Sequence, residues 1–141
     1  MSGKAFGGAV VAGWVVSFLL GYLLWGMLFA DFFANNMGSA TGVLKEPIDM
    51  ALLALGTLLG AALLVLIIVN WARAGSMGEG AKVGATVGVL FSLHMGLIMF
   101  ATTNINTLTS VLMDAGLSVV HGAVVGAVIA VVAAKMGPQA G

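Results

Sequence analysis

The chain has 141 residues, zero formal net charge and no cysteine; 61% of it is hydrophobic and only 7% is charged. A soluble domain of this size carries about 25% charged residues, and five Lys or Arg residues are too few for a nucleic-acid footprint. The missing cysteines exclude disulfides, thiolate nucleophiles, cysteine-ligated iron–sulfur clusters and covalent haem attachment.

Four uncharged runs dominate the sequence: Ala5 to Ala30, Met50 to Ala72, Val83 to Met113 and Ala115 to Ala134. Roughly 20 apolar residues cross a ~30 Å hydrocarbon core as a helix. The expected fold is therefore all-α: an integral membrane four-helix transmembrane bundle forming one domain over residues 1–141. Its helices fall at about 5–33, 47–72, 82–103 and 113–135. The first run is too long for the roughly 7–15-residue core of a signal peptide and ends in bulky aromatics, so it reads as an uncleaved helix.

The first helix carries Trp14 near one end and Tyr22, Trp25, Phe29, Phe32 and Phe33 near the other, levels that suit interfacial aromatic belts. A loop follows over Ala34 to Lys45, rich in the turn residues Asn35, Asn36, Gly38, Ser39 and Gly42. Glu46-Pro47 reads as the start of helix two, because proline is tolerated in a first turn. Helix two ends near Asn70-Trp71, and Arg73 to Lys82 is a short glycine-rich connection. Helix three stays apolar to Ala101. The polar stretch Thr102 to Ser110 reads as a loop or frayed end, with a short turn around Asp114 before helix four. Lys4, Arg73, Lys82 and Lys135 then share one side of the membrane and Lys45 lies on the other. By the positive-inside rule both termini face the cytoplasm.

Small residues recur every fourth position in each helix. They are Gly13, Ser17 and Gly21; Gly56 and Gly60; Gly84, Gly88, Ser92 and Gly96; and Ser118, Gly122 and Gly126. Positions i and i+4 share a helix face. A face without side chains lets two backbones approach and gain dispersion contacts, enough to offset the ~1 kcal/mol that each glycine costs in a soluble helix. These stripes are read as packing surfaces, inside one bundle or between molecules. Gly13-x3-Ser17-x3-Gly21-x3-Trp25 also matches Gly88-x3-Ser92-x3-Gly96-x3-Phe100, and Gly56-x3-Gly60-Ala61 resembles Gly122-x3-Gly126-Ala127. Such a pattern fits two repeated helical hairpins related by an axis along the membrane normal.

Candidate chemistry is sparse. His94 and His121 are polar groups within apolar helices, where such groups are expensive and often functional. Two imidazoles on facing helices can ligate a haem or pigment metal; the plainer reading is that each hydrogen-bonds a neighbouring carbonyl or hydroxyl, with Ser118 one turn before His121. A Ser118–His121 nucleophile and base lacks an orienting carboxylate. Asp31, with Asn35, Asn104 and Asn106, suits a polar outer vestibule, and His94 and Ser92 suit the lining of a path beneath it. No P-loop, metalloprotease helix, calcium loop or dinucleotide fingerprint is present, and no metal cluster is expected.

Gly13-Trp14 and Gly21-Tyr22-Leu23-Leu24-Trp25-Gly26 in helix one, with Asp114-Ala115-Gly116, His121-Gly122-Ala123 and Gly126-Ala127-Val128-Ile129 in helix four, resemble a group of small bacterial four-helix membrane proteins. That group often has Asn before its Ala-Gly pair and a His sooner after it; here the positions are Asp114 and His121. The resemblance implies a multi-pass protein of the bacterial cytoplasmic membrane and supplies no activity. The leading expectation is a non-enzymatic protein: an accessory subunit of a larger membrane complex, or a homo-oligomer held by glycine packing, with lipid and other membrane subunits or its own copies as partners. A small transporter or channel with the outer vestibule, and a haem- or pigment-binding subunit using His94 and His121, are the alternatives.

Overall fold

The computed structural model describes residues 1–137, and its architecture is helical. Helix α1 spans Gly3–Leu28: it is α-helical over Gly3–Gly21 and widens to a π-helix over Tyr22–Leu28. A short helix, α2 (Ala30–Asn35), follows. Helix α3 spans Met50–Trp71, with a π-helical end at Leu66–Trp71. Helices α4 (Met77–Thr102) and α5 (Leu108–Met136) complete the chain. Four of these helices, α1, α3, α4 and α5, are long and apolar enough to cross a membrane.

Local chemistry sets the helix starts. Ser2 and Asp49 cap α1 and α3 by accepting from the N–H groups of Ala5 and Leu52. Ser76 with Glu79, and Thr107 with Ser110, form capping boxes that satisfy two orphan donors each. These caps move three boundaries away from the sequence expectation. Helix α3 begins after Asp49 rather than at Pro47. Helix α4 begins at Met77 rather than near Lys82. Helix α5 begins at Leu108, so the polar Thr107-Leu108-Thr109-Ser110 segment starts a helix instead of fraying one. Asp114 therefore sits inside α5 and not in a turn. The first helix also breaks at Phe29 instead of running on to Phe33.

Helix α5 is the centre of the assembly. It packs along α4 on one side and along α1 on the other, and α3 lies against α1. The α4–α5 contact is an antiparallel seam of small residues. A Cβ added at Gly80 would strike the Gly126 carbonyl, one at Gly84 the Gly122 carbonyl, and one at Gly88 the Ser118 carbonyl. Each rung advances four residues on one helix and recedes four on the other, so backbone meets backbone for three consecutive turns.

The end where α1 begins and α5 finishes is a closed apolar core. Ala9, Val10, Val65, Ile68, Val125, Ile129, Ala130 and Ala133 form one buried cluster from α1, α3 and α5. Ile68, Ile129, Val65 and Val125 are its largest fully buried side chains. At the opposite end the loops are stapled together. Gly38 N–H donates to the Ile105 carbonyl (2.8 Å) and Ala40 N–H to the Asn104 carbonyl (3.0 Å). Thr107 Oγ1 donates to the Asn36 carbonyl (2.7 Å). Gly38 is needed there, because a Cβ would collide with the Asn104 backbone.

The four long helices do not follow a two-fold pattern. A duplicated hairpin would pair α3 with α4 as closely as α1 pairs with α5. Instead α4 meets α3 chiefly at its Leu66–Trp71 end, and the Met50–Val65 portion stands away from it.

Candidate functional site

The space left between α3 and α4 is a cleft of about 640 Å³. Its apolar walls come from Leu63 and Leu64 of α3 and from Val87, Phe91, Met95 and Met99 of α4. Its back is α5, which presents Ser110, Asp114, Ser118 and His121 to the cleft. Their spacing of four, four and three residues puts all of them on one helix face. At 1.5 Å per residue, Asp114 lies about 9 Å and His121 about 20 Å from the start of α5. The polar ridge thus runs from the loop end to mid-helix, where the Val125 and Ile129 core closes it.

Asp114 is the focus of the site. Its Oδ1 accepts from Trp25 Nε1 at 2.7 Å, and its Oδ2 accepts from Ser92 Oγ at 2.5 Å. Ser92 is the next rung of the glycine seam, one turn beyond Gly88, so the register that closes α4 onto α5 also delivers its hydroxyl to Asp114. Trp25 arrives from the π-helical turn of α1, a local widening that often marks functional positions. Both partners are donors, and no Lys or Arg lines the cleft. Among the described residues, Lys45–Asp49 on the surface forms the ion pair that this chain contains; Asp114 has none.

His121 is fixed from the α1 side. Its Nε2 lies 3.1 Å from the Ser17 carbonyl and 3.2 Å from Ser17 Oγ. A carbonyl only accepts, which assigns the ring hydrogen to Nε2. The Trp25 indole stands edge-on to the imidazole, with ring centroids 5.5 Å apart. Ser17 and Ser92 occupy matching positions in the two small-residue stripes, and they bond the two ionisable groups that α5 presents to the cleft, His121 and Asp114.

The structure gathers Ser92, Ser118, His121 and Asn106 at this cleft. It separates the others. His94 is exposed and does not line the cleft, and His121 commits its Nε2 to Ser17, so the two imidazoles do not form a facing haem-ligand pair. His121 also bonds Ser17 and not Ser118, which removes the nucleophile–base pairing. Asp31, Asn35 and Asn104 are exposed on the loop end, so the expected vestibule reduces to Asn106. Among the described residues no three His, Asp or Glu side chains come together as a metal site.

Of the predicted packing glycines, Gly13 meets Ile129, Gly96 meets Val111, and Gly84, Gly88, Gly122 and Gly126 form the seam. Gly21, Gly56 and Gly60 face open space. Trp14 is an internal link rather than a belt residue: its indole donates to the Ala54 carbonyl (3.1 Å) and Thr57 Oγ1 (3.0 Å) of α3. Sequence reading missed Asp114 and Trp25 as site residues. The signal was the register itself: Ser92 aligns with Asp114 once Gly84 is set against Gly122.

No protein-family model, curated protein or solved structure matches this chain.

Proposed function

We propose that this is a multi-pass protein of the bacterial cytoplasmic membrane that binds a small solute in the α3–α4 cleft and acts as a carrier or receptor for it, not as an enzyme. The observation that carries this reading is Asp114: a carboxylate held by two donors, facing a 640 Å³ cleft with no cationic side chain in its lining. Ionisable groups within membrane-spanning helices are costly and mark binding or transport pathways, and the volume falls within the roughly 300–1,000 Å³ of small-molecule sites. The polar ridge stops at the apolar core, so a single static chain is not an open pore. Net transport requires that core to part. With Lys4, Arg73, Lys82 and Lys135 at the end where α1 begins and α5 finishes, the positive-inside rule puts that end in the cytoplasm and the loop end outside.

A second reading, an accessory subunit or homo-oligomer, retains one specific support. Gly56 and Gly60 leave a smooth exposed strip on α3 of the kind that seats a partner helix. The other stripes are largely consumed within the chain. Native mass spectrometry after gentle extraction from the source membrane separates the two. The solute reading predicts a small-molecule adduct that Asp114→Asn removes. Foreign subunits, or bare homo-oligomers unaffected by that substitution, would contradict it.

A further inference from the structure

Resting on the solute-binding reading, we infer that the occupant of the cleft is an amphipathic amine, a molecule with a protonated nitrogen head and an apolar tail, which enters sideways from the bilayer between α3 and α4.

The charge of the head follows from the donor set. Trp25 and Ser92 supply hydrogen bonds to Asp114 but no positive charge. The remaining lone pairs of the carboxylate face a cleft lined by hydroxyls, an amide and one imidazole, with no Lys or Arg. A cationic head completes this arrangement, because a charge-assisted hydrogen bond to a carboxylate is roughly twice as strong as a neutral one. A zwitterionic phospholipid head is disfavoured by the same inventory, because the lining holds no Lys or Arg to offset a phosphate charge beside Asp114.

The tail follows from the walls. A bare inorganic cation needs several oxygen ligands and little volume. Here one carboxylate sits at the edge of a large space walled by Leu63, Leu64, Phe91, Met95 and Met99. Lateral access follows from the fold, because α3 and α4 separate over Met50–Val65 and Gly60, in the lining, has nothing within 4 Å of where its Cβ would be. The path into the cleft passes between two apolar helices, and a tailed molecule partitions into the lipid there.

The test is calorimetric titration of the full chain in lipid nanodiscs, with empty nanodiscs as the blank, using dodecylamine, dodecanol and methylamine. Saturable binding of one dodecylamine per chain is expected, with dodecanol and methylamine each at least about tenfold weaker. Asp114→Asn, with folding checked by gel filtration, should bring dodecylamine down to the dodecanol level. Gly60→Leu should weaken dodecylamine without changing the gel-filtration profile. Equal binding of dodecylamine and dodecanol overturns the amine head while leaving the cleft a binding site. Equal binding of methylamine and dodecylamine overturns the tail. Binding of none of the three overturns this inference and counts against the solute-binding reading as well.

Discussion

The two faces of α4 show what glycine does in two different settings. Toward α5, Gly80, Gly84 and Gly88 meet Gly126, Gly122 and Ser118, and the helices close until backbone touches backbone. Toward α3 there is no matching partner: Gly56 and Gly60 look into open space, and a cleft remains. Small residues allow close approach but do not compel it. Approach occurs where both helices present them in register, and where one helix presents them alone the result is a cavity or a free surface.

The largest expected effect lies at the closed side. Gly84→Leu or Gly122→Leu forces a branched side chain against a backbone carbonyl that has no room to give, and should destabilise the fold by about 3 kcal/mol or more. The loss would be read as a collapse of monodisperse yield and of thermal stability in detergent. By contrast Gly56→Leu should stay within about 0.5 kcal/mol of the parent; equal damage from both substitutions would erase the distinction between the two faces.

Trp25→Phe comes next. It keeps the ring against His121 but leaves Asp114 with one donor fewer, at a cost of about 1–3 kcal/mol, measurable as a lower melting temperature. Ser17→Ala removes one of the two hydrogen-bond contacts that Ser17 makes to His121, and the Ser17 carbonyl stays in place, so about 1 kcal/mol or less is expected. His94→Ala should change neither stability nor ligand binding, since that ring is exposed and outside the cleft. A haem-like absorption that His94→Ala abolished would overturn the placement of the two histidines.

Much of the scaffold was legible in the sequence because its causes are local. Four apolar runs separated by charges required four long helices. The four-residue spacing of Gly84, Gly88, Gly122 and Gly126 announced a packing face without naming its partner. The site was harder to read because it depends on register. Asp114 resembled a turn residue beside a polar stretch until the Thr107–Ser110 capping box placed it one and a half turns inside α5. Trp25 resembled a belt aromatic, and only the antiparallel α1–α5 contact shows that its indole nitrogen points inward. His94 looked equivalent to His121 as a polar group within an apolar helix, yet it is exposed and lies outside the cleft.

The most direct test of the account compares two positions on the same helix, Ser118 in the cleft and Val125 in the apolar core. The chain has no cysteine, so Ser118→Cys and Val125→Cys each introduce a single thiol, whose reaction with a small neutral, membrane-permeant maleimide can be followed in nanodiscs. Modification of the Ser118→Cys chain within minutes, with Val125→Cys unmodified over the same period, is the predicted result. Comparable rates at both positions, or protection of both, would contradict a polar cleft that opens between α3 and α4 and ends at a closed core.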